Sequence, residues 1–331
     1  MQTFFKKIFG DKRGTYCSPF FALTKRVCAY IIYVVMEKSK KYSLLAKLAL
    51  LTATLIWGST FVILKNALDS VPTYFILSFR FLTATLLLSV IFFKKWRLVN
   101  KTYLWQGGLI GVCLALAYIF QTVGLANTTP GKNAFLTATY CVLVPFMMWM
   151  IYGKKPDKYN VIAGITCIVG IGLVSLDGNF VMQYGDYITL VCGIFFGLQI
   201  IFISVFNKDK DAILMTIIQF LTAGIITGVL SLCFETMPQS IPTGAWIEVV
   251  YLTIFGTMVA FLLQNLSQKH MSSSAASIIL TLEAVFGTVF SVVFYHEKLT
   301  LKLVCGFVVI FIAVFLSETK LSFLKKDKNK K

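Results

Sequence analysis

Two ionisable side chains sit inside apolar runs, where charge is costly. Arg80 lies in the run from Tyr74 to Leu88, and Glu283 lies in LEAVFG at 282–287. A guanidinium grips carboxylate or phosphate through paired N–H groups. Arg80 is therefore a candidate anchor for an anionic group on a ligand. The structural alternative ties it to backbone carbonyls or to a buried carboxylate. Glu283 can hold a proton or a cation, pair with Arg80, or serve only as polar packing. Gln121, Gln199, Gln219, Gln264 and Asn265 lie in comparable runs. Amides away from water need partners, and hydrogen bonds between helices are their ordinary use. As a group they can also line a cavity. Trp57, Tyr118 and Tyr140 can supply its aromatic walls or pack as ordinary helix residues.

Other chemistries find little support. No phosphate-cradling GxxxxGK[ST] loop, HExxH pair or Ser-His-Asp order occurs. His270 and His296 fall at opposite ends of the expected bundle and cannot share a metal. Glu297, beside His296, reads as a solvated loop charge. Eight cysteines are scattered singly without a CxxC and read as small apolar side chains. No cofactor and no metal are expected, and the chain does not read as an enzyme. A membrane enzyme acting on a lipid-linked substrate would need acids or histidines clustered at one face. A non-transporting scaffold would tolerate neutral residues at 80 and 283.

The elements that must position these residues are apolar helices. Of 331 residues, 57% are hydrophobic and 14% are charged, with mean hydropathy +0.79. About 20 apolar residues cross a bilayer as a helix. By that measure ten spans are expected, near 43–65, 72–93, 104–126, 131–152, 160–177, 186–206, 211–233, 245–267, 273–295 and 301–318. Arg80 then lies about 12 Å along the second span from its outer end, near mid-membrane, where a charge normally faces a bundle interior or a wet cavity. Pro145 predicts a kink in the fourth span. Gly107/Gly111, Gly193/Gly197 and Gly224/Gly228 predict close helix approaches. Trp96, Trp105 and Trp246 fall near span ends and read as interface anchors.

The net charge is +17. Much of it lies in two basic tails, which suits anionic headgroups rather than nucleic acid. Lysine and arginine favour one set of loops, with Lys94, Lys95, Arg97, Lys101, Lys154, Lys155, Lys158, Lys208, Lys210 and Lys269 against Lys65, Lys132, Lys298 and Lys302. The bias puts both termini in the cytoplasm. Residues 1–42 read as a cytoplasmic extension, and Met36 as a natural start, so the first 35 residues read as a start-site artefact or a poorly ordered segment.

The spans repeat. At an offset of 139, Trp57-Gly58 falls on Phe196-Gly197 and Arg80 on Gln219. At 143, Ala117-Tyr118 falls on Ala260-Phe261 and Gln121 on Gln264; at 142, Gly164 falls on Gly306 and Cys141 on Glu283. Five spans per copy invert the second copy relative to the first, the plan of many secondary transporters. The expected fold is all-α, with ten transmembrane helices in two inverted five-helix repeats, 43–177 and 178–318, then a basic cytoplasmic tail, 319–331.

Over 43–318 the chain resembles the drug/metabolite transporter superfamily, specifically its EamA-type members. The resemblance rests on WGSTF at 57–61, Arg80-Phe81, Gly185-Asp186, Glu283 in LEAVFG, and HEKLT at 296–300. Two departures stand out. Lys154 follows Gly153 where the family often has glutamate, and Ala284 stands where it often has proline, so the ninth span is expected to run straighter. The resemblance implies a secondary transporter of a small organic solute in a bacterial cytoplasmic membrane, working by alternating access as two repeat-derived bundles rock about a midplane cavity. Efflux is one direction it admits. Expected partners are the solute and membrane lipid, with a homodimer among the assemblies the class allows.

Overall fold

The computed structural model describes residues 40–175, 182–270, 276 and 279–319. Residues 1–35, the proposed start at Met36 and most of the C-terminal tail lie outside the described residues. In chain order the helices are α1 Lys40–Ala67, α2 Thr73–Ile91, α3 Lys101–Ala126, α4 Pro130–Ala138, α5 Tyr140–Tyr152 and α6 Lys158–Ser175. Then come α7 Tyr184–Phe206, α8 Ala212–Phe234, α9 Thr243–Tyr251, α10 Ala260–Gln268, α11 Leu282–Phe294 and α12 Leu301–Thr319. A 3-10 turn, Phe93–Leu98, follows α2, and a π-helical stretch, Leu252–Val259, joins α9 to α10.

Among the described residues seven stretches are long and apolar enough to cross a membrane: Leu44–Ala67, Thr73–Ile91, Lys101–Ala126, Pro130–Tyr152, Tyr184–Phe206, Ala212–Phe234 and Thr243–Gln268. Three more apolar helices, Lys158–Val174, Leu282–Phe294 and Leu301–Leu316, are shorter among the described residues. Helix ends follow local chemistry. Asn100 accepts from the Tyr103 N–H at 3.0 Å, Asp211 accepts from the Ile213 and Leu214 N–H groups at 3.1 Å, and Thr129 precedes Pro130 at the first turn of α4. Gly153, at φ +69°, closes α5 in the left-handed region that glycine enters freely. The outside of the bundle is apolar, with Leu86, Trp105, Val229, Leu232 and Ile312 all exposed. Hydrocarbon is the solvent such a surface matches. Trp246 lies in the first turn of α9 and packs edge-on to Phe79, ring centres 5.3 Å apart.

The packing mixes the two halves of the chain. Helix α1 packs on α10 and α11, and α7 packs on α3, α4 and α5. Helix α2 meets the π stretch, and α8 meets α3; α2 also packs on α8, and α6 on α12. If each helix is exchanged for its offset twin, the same set of pairs recurs. The units that pack together are therefore mixed, contrary to the expectation of one bundle per repeat.

Helices come close at the predicted glycine pairs, where a Cβ would stand 2.7 Å from Ile218 Cγ2 at Gly107, 2.6 Å from Gln219 O at Gly111 and 2.7 Å from Leu82 Cδ2 at Gly224. Gly58, outside those pairs, makes a closer approach still. A Cβ on Gly58 would stand 2.4 Å from Phe286 Cβ and 2.9 Å from the Gly287 nitrogen. A Cβ on its twin, Gly197, would meet the flexible Met147, Sδ at 2.9 Å. Gly58→Ala should therefore destabilise the fold by about 1–3 kcal/mol, and Gly197→Ala should cost far less because a methionine can swing aside. Thermal unfolding of the two variants in one detergent checks the ranking, and equal losses would refute it.

Two spans are broken at corresponding places. Thr139 separates α4 from α5, with its hydroxyl donating to Leu136 O at 2.6 Å. At an offset of 142, Thr281 forms a turn just before α11, where the Ala284 N–H reaches back three residues to Thr281 O. Both threonines keep right-handed backbone angles, φ −59°, ψ −17° and φ −65°, ψ −20°. The break in the fourth span thus comes ahead of Pro145, which lies inside α5.

Candidate functional site

Residues on either side of the two breaks line one small cavity. Its wall comprises Trp57 from α1, Tyr118 from α3, Thr137 and Tyr140 from either side of the Thr139 break, and Phe196, Gln199 and Ile200 from α7. Phe261 and Gln264 from α10, Leu280 and Glu283 complete it. The volume is about 20 Å³, room for a water molecule but not for an organic solute. Twins from the two halves share its wall, Trp57 with Phe196 and Tyr118 with Phe261.

The aromatic wall is locked. The Trp57 indole N–H donates to Gly256 O in the π stretch at 2.9 Å, and its ring meets Phe261 edge-on, centres 5.0 Å apart. Tyr118 packs on Phe81, Phe196 and Phe261 at 5.3, 5.5 and 5.9 Å. Tyr140 reaches Phe196 at 6.2 Å. The polar groups, by contrast, are poised and unused. Both side-chain heteroatoms of Gln199 and the Oε1 of Gln264 are buried without a hydrogen-bond partner. Glu283 makes no hydrogen bond or ion pair among the described residues.

Six of the ten residues singled out from sequence line the cavity: Trp57, Tyr118, Tyr140, Gln199, Gln264 and Glu283. Arg80 stands immediately behind it, 1% exposed, its guanidinium carbon 5.1 Å from the centre of the Tyr118 ring. Its Nε–H donates to Thr257 Oγ1 at 3.0 Å, while Nη1 and Nη2 are buried without partners. Arg80 and Glu283 are thus not ion-paired in this structure. Tyr118, whose ring the guanidinium covers, shares the cavity wall with Glu283. Thr257 is placed by the π turn, its own hydroxyl donating five residues back to Leu252 O at 2.9 Å. Such turns recur at functional sites.

The other three amides are elsewhere. Gln121 sits one layer out, its Nε2 donating to Thr137 Oγ1 at 3.4 Å. Asn265 ties α10 to the end of α7 by accepting from Asn207 Nδ2 at 2.9 Å. Gln219 is buried against Gly111 with both side-chain heteroatoms unpartnered, away from the cavity wall.

One end of the bundle is bolted shut above the cavity. The Glu297 carboxylate accepts from the Thr129 and Ser291 hydroxyls and from the Gly131 N–H, the last at 3.0 Å. A Cβ on Gly131 would fall 2.6 Å from Glu297 Oε2, so only glycine lets the carboxylate reach the first turn of α4. The helix dipole favours an anion there. From the other side, the fully buried Asp186 accepts from Thr128 at 2.8 Å and ion-pairs with Lys132 at 2.7 Å. Below this bolt α4 packs on α11. Glu297 is thus a cross-chain tie, not the solvated loop charge expected from sequence. At the opposite end Lys95 pairs with Asp211, and Lys269 donates to Lys210 O at 2.9 Å.

Residues 44–176 and 183–319 both match the EamA-like transporter family. The chain belongs to this family. A transporter of Archaeoglobus fulgidus named only as uncharacterized is 35% identical over 273 residues, 82% of this chain and 85% of that protein. The Bacillus subtilis transporter YoaV is 22% identical over 82% of this chain and 95% of its own length. The inner membrane transporter YedA of Escherichia coli K12 is 24% identical over 69% of this chain and 77% of its own. A solved crystal structure superposes with a TM-score of 0.60 at 16% identity, covering 83% of this chain and 96% of that one, which shows a shared fold. This EamA-family chain is accordingly a multi-pass membrane transporter. The doubled family match coincides with the two halves that supply facing walls of the cavity. Phe196 and Phe261 carried a signal in the sequence, because each is the offset twin of a residue already singled out. Thr137, Ile200, Leu280 and Thr257 carried none.

Proposed function

We propose that this transporter works by alternating access, with ten spans in two inverted repeats, 43–177 and 178–318, and a solute site at the cavity of Glu283. One observation carries the reading. The two twin breaks, Thr139 and Thr281, flank one cavity whose wall is built from twin aromatic residues. Interrupted helices in corresponding places of two halves mark the solute site in transporters built on inverted repeats.

The lysine and arginine bias supports cytoplasmic termini in a bacterial cytoplasmic membrane. In that orientation the Glu297 bolt closes the outer end. Gln264 lies four residues from the end of α10 and Gln199 seven from the end of α7, about 6 and 10 Å along their helices. On the other helices Tyr118 lies eight residues from the outer end of α3 and Thr137 seven from the outer start of α4, about 12 and 10 Å, so the cavity sits across the middle of the membrane in a contracted state. The stroke would part α4 from α11 at the outer end and close the Lys95 end in exchange. The donor set suits a small organic solute with an apolar body and a polar group. Glu283 would take a cation or proton, the free amides of Gln199 and Gln264 would take hydrogen bonds, and Arg80 would hold an anionic group once Tyr118 moves.

Reconstitution into proteoliposomes with a metabolite panel, run with and without an imposed pH gradient, tests this reading. At least one solute should accumulate or exchange, and the Arg80→Ala/Glu283→Ala double variant should lose that flux while remaining folded. Unchanged flux in the folded double variant would refute the mechanism.

A further inference from the structure

A second, larger space lies on the outer wall of the bundle. It is a groove of about 570 Å³ between α5, α6 and α7. Val142, Phe146, Val161, Ile165, Ile168 and Ile194 are among its wall residues. Ile165 and Ile168 are among the more exposed apolar residues of the chain, so the groove opens outward, where a membrane protein meets hydrocarbon. From Val161 to Ile171 it runs along ten residues of α6, about 15 Å.

The groove is not uniform at its ends. One turn before Val161 stands Lys158, and the connection before it carries Lys154 and Lys155. All three lysines are exposed, and none makes an ion pair among the described residues. Asp157, the acid of this loop, turns its carboxylate inward to accept from the Tyr159 and Asn160 N–H groups at 3.0 and 3.1 Å. An apolar slot thus ends at three exposed lysines against the single carboxylate of Asp157, a net positive end. That complementarity fits an acidic phospholipid, with an acyl chain in the slot and the phosphate among the lysines.

The groove also touches the transport machinery. Thr139 lines it, while Thr137 and Tyr140 line the central cavity. The break between α4 and α5 is the partition between the two spaces. We infer that the groove between α5, α6 and α7 binds one acidic phospholipid, whose acyl chain bears on the Thr139 break and whose headgroup is held by Lys154, Lys155 and Lys158. This rests on the chain lying in a membrane, not on the transport reading.

Photocrosslinking of the full chain in vesicles tests the assignment, using phosphatidylglycerol with a diazirine in its acyl chain and phosphatidylcholine with the same label as control. Label from phosphatidylglycerol should concentrate in residues 139–146, 161–171 and 187–194. It should fall about tenfold or more in a Lys154→Gln/Lys155→Gln/Lys158→Gln variant, with the phosphatidylcholine signal unchanged. The three lysines are exposed, so this variant should fold, and its melting temperature checks that it does. Label spread evenly over lipid-facing residues such as Leu86, Val229 and Ile312 would mean annular lipid only and would overturn the proposal. Groove labelling indifferent to the lysines would overturn the headgroup assignment. A rise in groove labelling on deleting residues 1–35 would make that segment the occupant and overturn it as well.

Discussion

Glu283→Gln should lower solute flux in proteoliposomes by about a hundredfold or more, with a melting temperature equal to or above the parent's. The two expectations pull apart because of where the carboxylate sits. Glu283 lies on the cavity wall and makes no hydrogen bond or ion pair among the described residues. Folding therefore loses no partner when its charge is removed, and a buried charge without compensation is itself costly. A solute cation or a transported proton, by contrast, loses its counter-charge. Glutamine keeps the size and leaves the wall intact. Glu283→Asp keeps the charge but withdraws it by one methylene, so its flux should fall between the two. If the carboxylate carries the coupling proton, residual flux in Glu283→Gln will be indifferent to an imposed pH gradient. A Gln variant matching the parent in flux and in gradient dependence would refute a role for Glu283.

Glu297→Ala should open the bolted end. It removes one acceptor from the Thr129 hydroxyl, the Ser291 hydroxyl and the Gly131 N–H together. Leaving such donors unpaired costs about 1–3 kcal/mol each where they are buried. These groups are only part-buried, so a shift of about 2 kcal/mol, some thirtyfold in population, is the fair expectation. Thr137→Cys reports it, because Thr137 is buried in the cavity wall below the bolt. The exposed Cys233 and Cys305 are first replaced by serine. A membrane-impermeant maleimide is then added on the side that labels a Lys298→Cys control. Labelling of Thr137→Cys from that side should speed up by about thirtyfold when Glu297→Ala is added. Glu297→Gln retains an oxygen acceptor and should give a smaller increase. Equal labelling rates with and without Glu297 would mean that the carboxylate does not hold this end shut.

The parts of the site that were legible in sequence are those that break a pattern locally. Arg80 and Glu283 interrupt apolar runs, and the amides do so more quietly. The offset near 140 residues paired Trp57 with Phe196 and Tyr118 with Phe261, and it thereby contained half of the aromatic wall. The illegible parts depend on distant or backbone partners. Thr257 reaches Arg80 only because a π turn rotates it, and π turns have no compositional signature. The helix breaks were masked by Pro145, the conventional breaker. A threonine hydroxyl competing for its own helix carbonyl marks one break, and threonines are common in every span. Glu297 looks like loop charge because its partners at Thr129 and Gly131 stand more than 160 residues earlier. The seven stretches long enough to cross a membrane among the described residues fall where apolar runs were expected, because hydrocarbon thickness fixes helix length directly. The mixed packing was not expected, since hydropathy carries no information about which helix meets which.

That mixed packing has a consequence for how the chain is made. Helix α1 leaves the ribosome first, yet its neighbours α10 and α11 are among the last helices synthesised. The Trp57 indole waits 199 residues for the Gly256 carbonyl that satisfies it. Throughout that interval the seam at Gly58 has no Phe286 to fill it. Until then the first span rests on its ties to α3 and α4, such as Lys65 donating to Leu125 O at 2.8 Å, and its final assembly is deferred to the end of translation. Premature termination anywhere before residue 282 would leave a chain that is inserted in the membrane but unclosed, with one whole wall of its cavity facing the bilayer.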